Sequence, residues 1–329
     1  MKRITIEDVA KAAGVSRQTV SRAMNDKGEI SPETKERVMR AIDELGYVPN
    51  RMAQGMVTRS TRTIGLIIGD VMNLFFAEVA RGVQDLAQAH DYHVILYNTD
   101  NNRAIEERAL RSLLAQGVDG IIGFISVADD VLTAIADQGK PIVLINRSFA
   151  HANVATVMVD NQQGARLAVA YLLQQGHRQI GMLAPQDALL KHVRRYQGYQ
   201  ETLHHAGVEQ NGQWVARGYP TLEGGYAATK ELLNRSPDIS ALFTYTDLMA
   251  LGAIRAAREL GRNVPTDLAI VGYDDSAIAA LTNPALTTIQ VQKYEMGKQA
   301  MQQFLAMNDE ATDVEFASLN VALIIRESA

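Results

Sequence analysis

The chain contains no cysteine, which excludes disulfide bonds and thiolate metal sites. It has no apolar run close to the roughly 20 residues that a membrane helix needs. Its first residues, Met1-Lys2-Arg3, are polar and are not followed by the apolar segment of a signal peptide. We therefore expect a cytoplasmic protein that makes no use of a membrane.

The sequence also lacks the motifs of common enzyme classes. It has no glycine-rich dinucleotide loop after a strand, no Walker phosphate loop, no paired-histidine zinc motif and no serine nucleophile elbow. The seven histidines are scattered, and the one adjacent pair, His204-His205, falls on a predicted helix surface. We predict no catalytic residue, no metal site and no cofactor.

Charge is unevenly divided along the 329 residues. Residues 1–62 hold twelve Lys or Arg and eight Asp or Glu, a balance of +4, and the remainder holds twenty and twenty-nine, a balance of −9. A basic N-terminal module attracts phosphates, whereas an acidic body is repelled by a DNA duplex. The length, with 47% apolar residues, suits a small module joined to a larger domain.

Two short helical patterns separated by a tight turn lie in the first 24 residues. Apolar residues recur at helical spacing between residues 6 and 13 and again from Val20. Thr5 and Ser16 are suitable N-caps, and Gly14 lies where a helix–turn–helix bends. The second helix carries side chains that pair with guanine and adenine edges in a major groove, namely Arg17, Gln18 and Arg22. The alternative is a plain helical hairpin with solvated polar residues.

A third helix reduces the weight of that alternative. Ser31-Pro32-Glu33 combines a cap, a proline at the first helical position and an acid in the first turn. The helix ends at Gly46, and a shorter helical pattern follows over residues 51–57. Three helices and a short fourth segment make a compact DNA-binding module.

Residues 4–57 resemble the headpiece of the LacI/GalR family of bacterial transcription regulators. The resemblance is carried by Asp8-Val9-Ala10, Gly14-Val15-Ser16, Thr19-Val20-Ser21-Arg22, Gly46-Tyr47 and Pro49-Asn50-Arg51. It continues in order through Gly65-Leu66-Ile67, Phe75-Phe76, Gly117-Val118-Asp119-Gly120, Gly176-His177, Asp247-Leu248-Met249-Ala250-Leu251-Gly252 and Val271-Gly272-Tyr273-Asp274-Asp275. Together these segments extend the resemblance over most of the chain.

The resemblance implies which residues contact DNA. A hinge helix over residues 50–57 is expected to fold on DNA and to insert Met56 as a minor-groove wedge, and Gly55 weakens the free helix by roughly 1 kcal/mol relative to Ala. The predicted DNA contacts are Thr5, Ser16, Arg17, Gln18, Thr19, Ser21, Arg22, Asn25, Tyr47, Asn50, Arg51, Ala53, Gln54 and Met56.

From Thr63 onward, short apolar runs alternate with amphipathic helical patterns. This alternation predicts an α/β fold with parallel sheets covered by helices on both faces. The predicted strands are Thr63–Ile68, His93–Tyr97, Gly120–Phe124, Ile142–Ile145, Thr156–Val159, Gln179–Leu183, Ala241–Thr244 and Leu268–Val271. The predicted helices are Phe76–Ala89, Ala104–Gln116, Gln162–Gln175, Arg195–Ala206, Gly224–Asn234, Met249–Glu259 and Glu295–Ala306.

The domain organisation follows from these patterns and from the resemblance. We assign residues 1–49 to a helix–turn–helix headpiece, 50–62 to the hinge and linker, and 63–329 to an effector-binding and dimerisation domain. The resemblance implies two periplasmic-binding-protein-like lobes, each a doubly wound parallel sheet. The first lobe takes about 63–160 and 291–320, and the second takes about 161–290 and 321–329.

Effector residues are expected at the carboxyl ends of the strands, where open α/β sheets bind ligands. Two consecutive aromatics, Phe75 and Phe76, stand at a strand-to-helix junction, and we expect that both cannot face a core. The resemblance favours Phe76 as the ring that meets a ligand, with Asn73 beside it. The alternative is that both rings pack at the interface between the lobes.

Charged and amide side chains at other strand ends complete the predicted site. Arg147 directly follows an apolar strand, so it belongs to the surface or to a site, since an unpaired buried charge is costly. Asn102 lies in a polar loop of the kind that is usually solvated and caps a helix, and the resemblance implies a sugar contact at this position. Arg147 and Arg195 are hydrogen-bond donors, and Asp274 is an acceptor. Around an aromatic face this set suits a polyol, whose hydroxyl groups both donate and accept hydrogen bonds. The predicted effector residues are Asn73, Phe76, Asn102, Arg147, Arg195, Thr246 and Asp274.

Three positions depart from what the resemblance implies for simple sugar binders. Thr246 stands where many relatives carry Asn, Pro220 where an aromatic often walls the pocket, and Val291 where a polar group closes it. The predicted pocket is therefore less polar than a ribose or galactose site. An unusual sugar, a glycoside or a sugar derivative is the expected effector.

Taken together, the sequence predicts an allosteric, homodimeric transcription regulator, expected to be a repressor that binds double-stranded operator DNA. Two headpieces read two half-sites, since dimer symmetry is mirrored in the operator. The effector shifts the population between two states of the body. Alternatives that stay open are a corepressor-type regulator or activator responding to a nucleoside or another metabolite, and a pure ligand-binding protein.

Overall fold

The computed structural model describes residues 4–24, 30–47, 60–186, 193–209, 211–308 and 317–329. The chain divides into two compact units, Met1–Arg62 and Thr63–Ala329. Several predicted DNA contacts lie outside the described residues, and these are Asn25, Asn50, Arg51, Ala53, Gln54 and Met56.

Within its described residues, the N-terminal unit has three helices, Ile6–Ala13 (α1), Arg17–Met24 (α2) and Pro32–Leu45 (α3). Their buried faces consist of small side chains, with Val9, Val20 and Val38 fully removed from solvent and alanines between them. Small residues let short helices approach closely, so this unit reaches a packed core with few residues. The Arg37 Nε also donates to the Ala13 carbonyl at 2.9 Å, which ties α3 to the end of α1.

The C-terminal unit alternates strands and helices along the chain. Its strands are Thr63–Ile68 (β1), His93–Asn98 (β2), Gly120–Gly123 (β3), Ile142–Ile145 (β4), Val154–Val159 (β5), Ile180–Pro185 (β6), Val215–Gly218 (β7), Ala241–Thr244 (β8), Ala269–Asp274 (β9), Thr287–Val291 (β10), Ala317–Leu319 (β11) and Val321–Ile324 (β12). Its α-helices are Leu74–Ala89 (α4), Arg103–Ala115 (α5), Asp129–Ala136 (α6), Asn161–Gln174 (α7), Arg194–His205 (α8), Leu222–Arg235 (α9), Asp247–Glu259 (α10) and Lys293–Asn308 (α11).

These strands form two six-stranded sheets, one in each lobe. The first lobe has the order β11-β5-β4-β3-β1-β2, and every neighbouring pair is parallel. The second lobe has the order β12-β10-β9-β8-β6-β7, in which only the β10–β12 pair is antiparallel. The prediction of parallel α/β lobes behind a helical headpiece is confirmed.

Central strands are mostly apolar because helices cover both faces of each sheet. Every residue of β4 and β8 is buried, as a parallel sheet inside an α/β layer requires. Edge strand β2 is less protected, with Leu96 41% exposed.

The chain passes between the lobes after β5, between β10 and α11, and between β11 and β12. Helix α11 follows a strand of the second lobe yet packs on α4 and on strands of the first. One hydrophobic cluster includes residues of both lobes, among them Val159, Met296, Tyr273 and Ile289. The two lobes therefore share a continuous core at the crossing segments.

In the part of the chain that the structure describes, no helix is long and apolar enough to span a bilayer.

Candidate DNA-reading and effector sites

The first helix of the headpiece is fixed by a reciprocal cap. The Thr5 hydroxyl accepts from the Asp8 amide at 3.4 Å, and the Asp8 carboxylate accepts from the Thr5 amide at 2.8 Å. Gly14 ends the helix with φ of +64°, a left-handed conformation that glycine adopts without strain. The turn between α1 and α2 is therefore set by local chemistry.

Helix α2 begins at a second cap, as predicted. The Ser16 Oγ accepts from the Thr19 amide at 3.1 Å and lies 2.9 Å from the Thr19 hydroxyl. Such a cap stabilises a short helix by typically about 1 kcal/mol. These two predicted DNA contacts therefore also hold the recognition helix in shape.

The outer face of α2 is polar and accessible. Arg17, Gln18 and Arg22 are exposed, whereas Val20 and Ala23 face the core of the headpiece. Arg17 lies 4.0 Å from Glu7, and both side chains are more than 60% exposed, so this ion pair is weak. The arrangement presents two guanidinium groups and one amide on a rigid helix.

The other described headpiece candidates lie beside this face. Ser21 is half-buried on α2, and Tyr47, just beyond the Gly46 cap of α3, packs its ring partly against the headpiece core. Their contacts with DNA stay predictions.

In the first lobe, two candidate effector residues are helix caps. The Asn73 Oδ1 accepts from the Phe75 amide at 3.0 Å and begins α4. The Asn102 Oδ1 accepts from the amides of Ala104 and Ile105 at 2.9 and 3.3 Å and begins α5. The capping alternative for Asn102 is thus realised, and its side-chain oxygen is already occupied.

The paired aromatics correct one expectation. Phe75 and Phe76 meet edge to face at 5.3 Å between ring centroids, and both contact Phe124, at 5.7 and 5.0 Å. Phe75 is buried, and Phe76 is half-buried against the same core. The expectation that the two rings cannot share a core is wrong, because Phe124, which follows β3, packs against both of them.

Arg147 holds a neighbouring loop. Its Nη1 donates to the carbonyls of Ile125 and Val127 at 3.0 and 2.7 Å, and its Nη2 lies 2.5 Å from Asp129, which is 80% exposed. From the other side, the buried Glu106 accepts from the Val127 amide at 2.7 Å. The loop after β3 is therefore fixed by one cation and one carboxylate.

Arg195 is the most enclosed candidate. Only 7% of the residue is exposed. Its Nε donates to the Asn161 side chain at 2.8 Å, its Nη1 donates to the Tyr245 carbonyl, and its Nη2 lies 3.4 Å from Asp274. The guanidinium also stacks on the Tyr273 ring, 3.5 Å from its centroid.

Asp274 ends β9 beside this guanidinium and is equally buried. Burial raises the pKa of Asp274 to about 7, because loss of water outweighs the attraction of Arg195 across 3.4 Å. The sequence placed this residue just after the strand, whereas it is the last residue of the strand.

Thr246 and Asp247 support the same corner. The Thr246 hydroxyl accepts from the Met249 amide and caps α10. The Asp247 carboxylate accepts from the Ser276 amide at 2.7 Å and from the Thr288 hydroxyl at 2.5 Å. Burial raises the pKa of Asp247 to about 6, and these hydrogen bonds oppose the shift.

The structure thus brings Arg195, Asp274 and the Thr246 segment together in the second lobe, and it places Asn73 and Phe76 on one turn of α4 in the first. Sequence reasoning missed Asp247 and Lys293, which both contact the end of β9 or the loop after it. The sequence does contain a signal for Lys293. A cation at the start of a helix is unfavourable because of the helix dipole, so its presence there indicates a compensating contact.

Comparisons with known proteins cover nearly the whole chain. The family described as bacterial regulatory proteins, lacI family, matches residues 5–50. The family described as periplasmic binding proteins and sugar binding domain of LacI family matches residues 61–324. The two matches together follow the division into two units.

Relatives of the full length share this organisation. Catabolite control protein A of Priestia megaterium is 34% identical over 329 residues, 99% of each chain. A solved CelR–cellobiose complex is 36% identical, with a TM-score of 0.75, and covers 99% of this chain and 100% of that one. The lac repressor dimer bound to operator and the anti-inducer ONPF is 28% identical, with a TM-score of 0.87 and 99% of each chain covered.

Proposed function

This chain belongs to the LacI family of bacterial regulatory proteins, and from that premise we propose that it is a homodimeric, cytoplasmic repressor which a sugar-like effector releases from its operator. It is a DNA-binding transcriptional regulator with an effector domain. The buried Arg195–Asp274 pair at the strand ends of the second lobe carries the effector part of the proposal.

The headpiece supplies operator reading. Arginine pairs with guanine and glutamine with adenine in the major groove, and each good bidentate contact discriminates by about 1–3 kcal/mol. Arg17, Gln18 and Arg22 are exposed on a helix whose start is capped, which supports their assignment as the residues that meet base edges. Two such headpieces in a dimer read a near-palindromic site.

The Arg195–Asp274 pair suits a hydroxyl group. At 3.4 Å the contact is long for a charge-assisted hydrogen bond, which is typically about 2.7–2.9 Å. A ligand hydroxyl can accept from the guanidinium and donate to the carboxylate, so it replaces one long contact by two short ones. A diol on a sugar ring offers this pattern repeatedly.

The charge of the corner favours a neutral ligand. Two cations, Arg195 and Lys293, and two carboxyl groups, Asp247 and Asp274, are buried there. A phosphate or carboxylate ligand brings a further negative charge to these carboxyl groups and must itself lose its water, whereas a neutral glycoside does neither. A CelR relative was solved with cellobiose, which is consistent with this chemistry.

Operator release by a ligand panel tests the proposal. A randomised-site selection with the full chain first defines an operator, and titrations at fixed salt then include cellobiose, galactose, ribose and adenosine. We expect a sugar or glycoside to weaken operator binding, and Asp274→Asn to need at least about tenfold more of it, since an unpaired ligand hydroxyl costs about 1–3 kcal/mol. Asp137→Asn, which changes the exposed partner of His151 outside the predicted effector residues, is the matched control.

The outcomes separate the alternatives. Tighter operator binding with a sugar makes the protein a corepressor-dependent regulator. A response to adenosine alone moves the effector class to nucleosides. An equal dose–response for Asp274→Asn and the parent places the pocket elsewhere.

A further inference from the structure

Lys293 is a buried lysine at an unfavourable position. It is the first residue of α11, where the positive end of the helix dipole repels a cation. Only 4% of its side chain is exposed, and lysine is almost never fully buried without a partner. Its place therefore calls for compensating contacts.

Those contacts join the two lobes. The Lys293 Nζ donates to the carbonyl oxygens of Asp274 and Asp275 at 2.7 and 2.8 Å, and both of these residues belong to the second lobe. The same Nζ lies 3.6 Å from the Glu78 Oε1 on α4 of the first lobe. Its backbone meanwhile opens α11, which packs on α4. One ammonium group thus connects a strand end of one lobe to two helices of the other.

The segment that Lys293 holds is strained. Asp274 and Asp275 have φ values of +111° and +49°, in the region that side chains other than glycine rarely adopt. Such conformations persist only where their surroundings fix them. Here the Asp275 carboxylate accepts from Arg326 at 2.7 Å and from Gln290 at 3.0 Å. Lys293 supplies the part of this support that comes from the first lobe.

We propose that Lys293 is the positioning residue that couples the Asp274–Asp275 turn to the first lobe. A change in the turn alters the two carbonyl contacts, and the ammonium passes the displacement to α11 and, through Glu78, to α4. Only one part of this proposal rests on the proposed function, namely that a ligand bound to the Asp274 carboxylate displaces the turn. The linkage itself is a property of the unliganded chain.

The test therefore uses the full-length protein without any ligand. Lys293→Met removes the charge while keeping a long flexible side chain, and Lys298→Met on the same helix, whose exposed ammonium lies 3.6 Å from Glu295, is the control. Hydrogen exchange of the amides at 275–278 and operator affinity at fixed salt are both measured. We expect exchange about tenfold faster and operator affinity changed by about threefold in Lys293→Met, with neither change in Lys298→Met.

Glu78→Gln distinguishes coupling between the lobes from a purely local structural role of Lys293 in the second lobe. This substitution lies in the first lobe, yet we expect it to speed exchange at 275–278 in the second. Both substitutions break the same contact, so their effects on operator affinity should not add. We expect the double variant to have the operator affinity of Lys293→Met alone. Glu78→Gln keeps the test valid if Lys293→Met does not fold.

Two results would overturn the proposal. One is faster exchange at 275–278 in Lys293→Met with parental operator affinity, because Lys293 then only stabilises the second lobe. The other is unchanged exchange at 275–278 in Glu78→Gln. Since no ligand is present, neither result depends on which effector the protein binds.

Discussion

The headpiece and the body use arginine in opposite ways. Arg17 and Arg22 are exposed on α2, where a guanidinium adds little to stability. Arg195 is enclosed between aromatic rings and donates to acceptors of its own chain. Burial, rather than residue type, thus distinguishes the arginines that are predicted to contact DNA from the arginine that also stabilises the fold. The charge balances of +4 and −9 follow the same division.

The largest expected effect is the loss of the buried pair. Asp274→Ala leaves Arg195 without its carboxylate, and breaking a buried pair costs about 3–5 kcal/mol of unfolding free energy. Asp129→Ala removes the exposed partner of Arg147 and is expected to cost less than about 1 kcal/mol. Urea unfolding of both variants checks the comparison, and equal losses would contradict it.

The pH dependence of stability sharpens the contrast. Burial raises the pKa of Asp274 to about 7 and that of Asp247 to about 6, above the ordinary value near 3.9 for an unfolded chain. Between these values the folded state binds more protons, so the two groups contribute stability at low pH that is lost as the pH rises towards 7. We expect the parent to lose about 2–3 kcal/mol more than Asp274→Asn between pH 5 and pH 7.5.

Chemical denaturation at several pH values measures this difference. The Asp274→Asn variant lacks the titrating group and should show a shallower decline with pH. Parallel curves for the two proteins would assign an ordinary pKa to Asp274.

The smallest effect on stability belongs to the headpiece. Arg17→Ala removes an exposed side chain, so the free energy of unfolding is expected to change by no more than about 0.5 kcal/mol. Preference at one or two operator positions should fall by about 1–3 kcal/mol while non-specific binding stays nearly intact. A randomised-site selection measures the preference, and an unchanged base profile would remove Arg17 from the reading set.

The sequence predicted most of the fold because periodicity and caps are local. The pattern over 63–68 and the Ser16 cap depend on neighbouring residues, and the structure has both. Helix α6 and strands β7, β10, β11 and β12 did not appear among the predicted elements. Each is short, so few periods are available to distinguish it from a loop.

The candidate site was harder to predict because its parts meet across long stretches of chain. An Arg after an apolar strand looks the same at 147, where it clamps a loop through Ile125 and Val127, as it does in a ligand pocket. The roles of Asp247 and Lys293 depend on the loop after β9. Asp247 contacts Ser276 of that loop, 29 residues along the chain, and Lys293 contacts Asp275, 18 residues along the chain. No local pattern contains such pairings.

The position of β11 and β12 has a consequence for biosynthesis. These two strands follow one another near residue 320, and each forms an edge of a different sheet. On the ribosome, β5 and β10 therefore each expose an unpaired row of amide and carbonyl groups until residues 317–324 have been made. Such nascent edges invite pairing between chains, so a ribosome that stalls before residue 317 leaves both sheets open to aggregation at once.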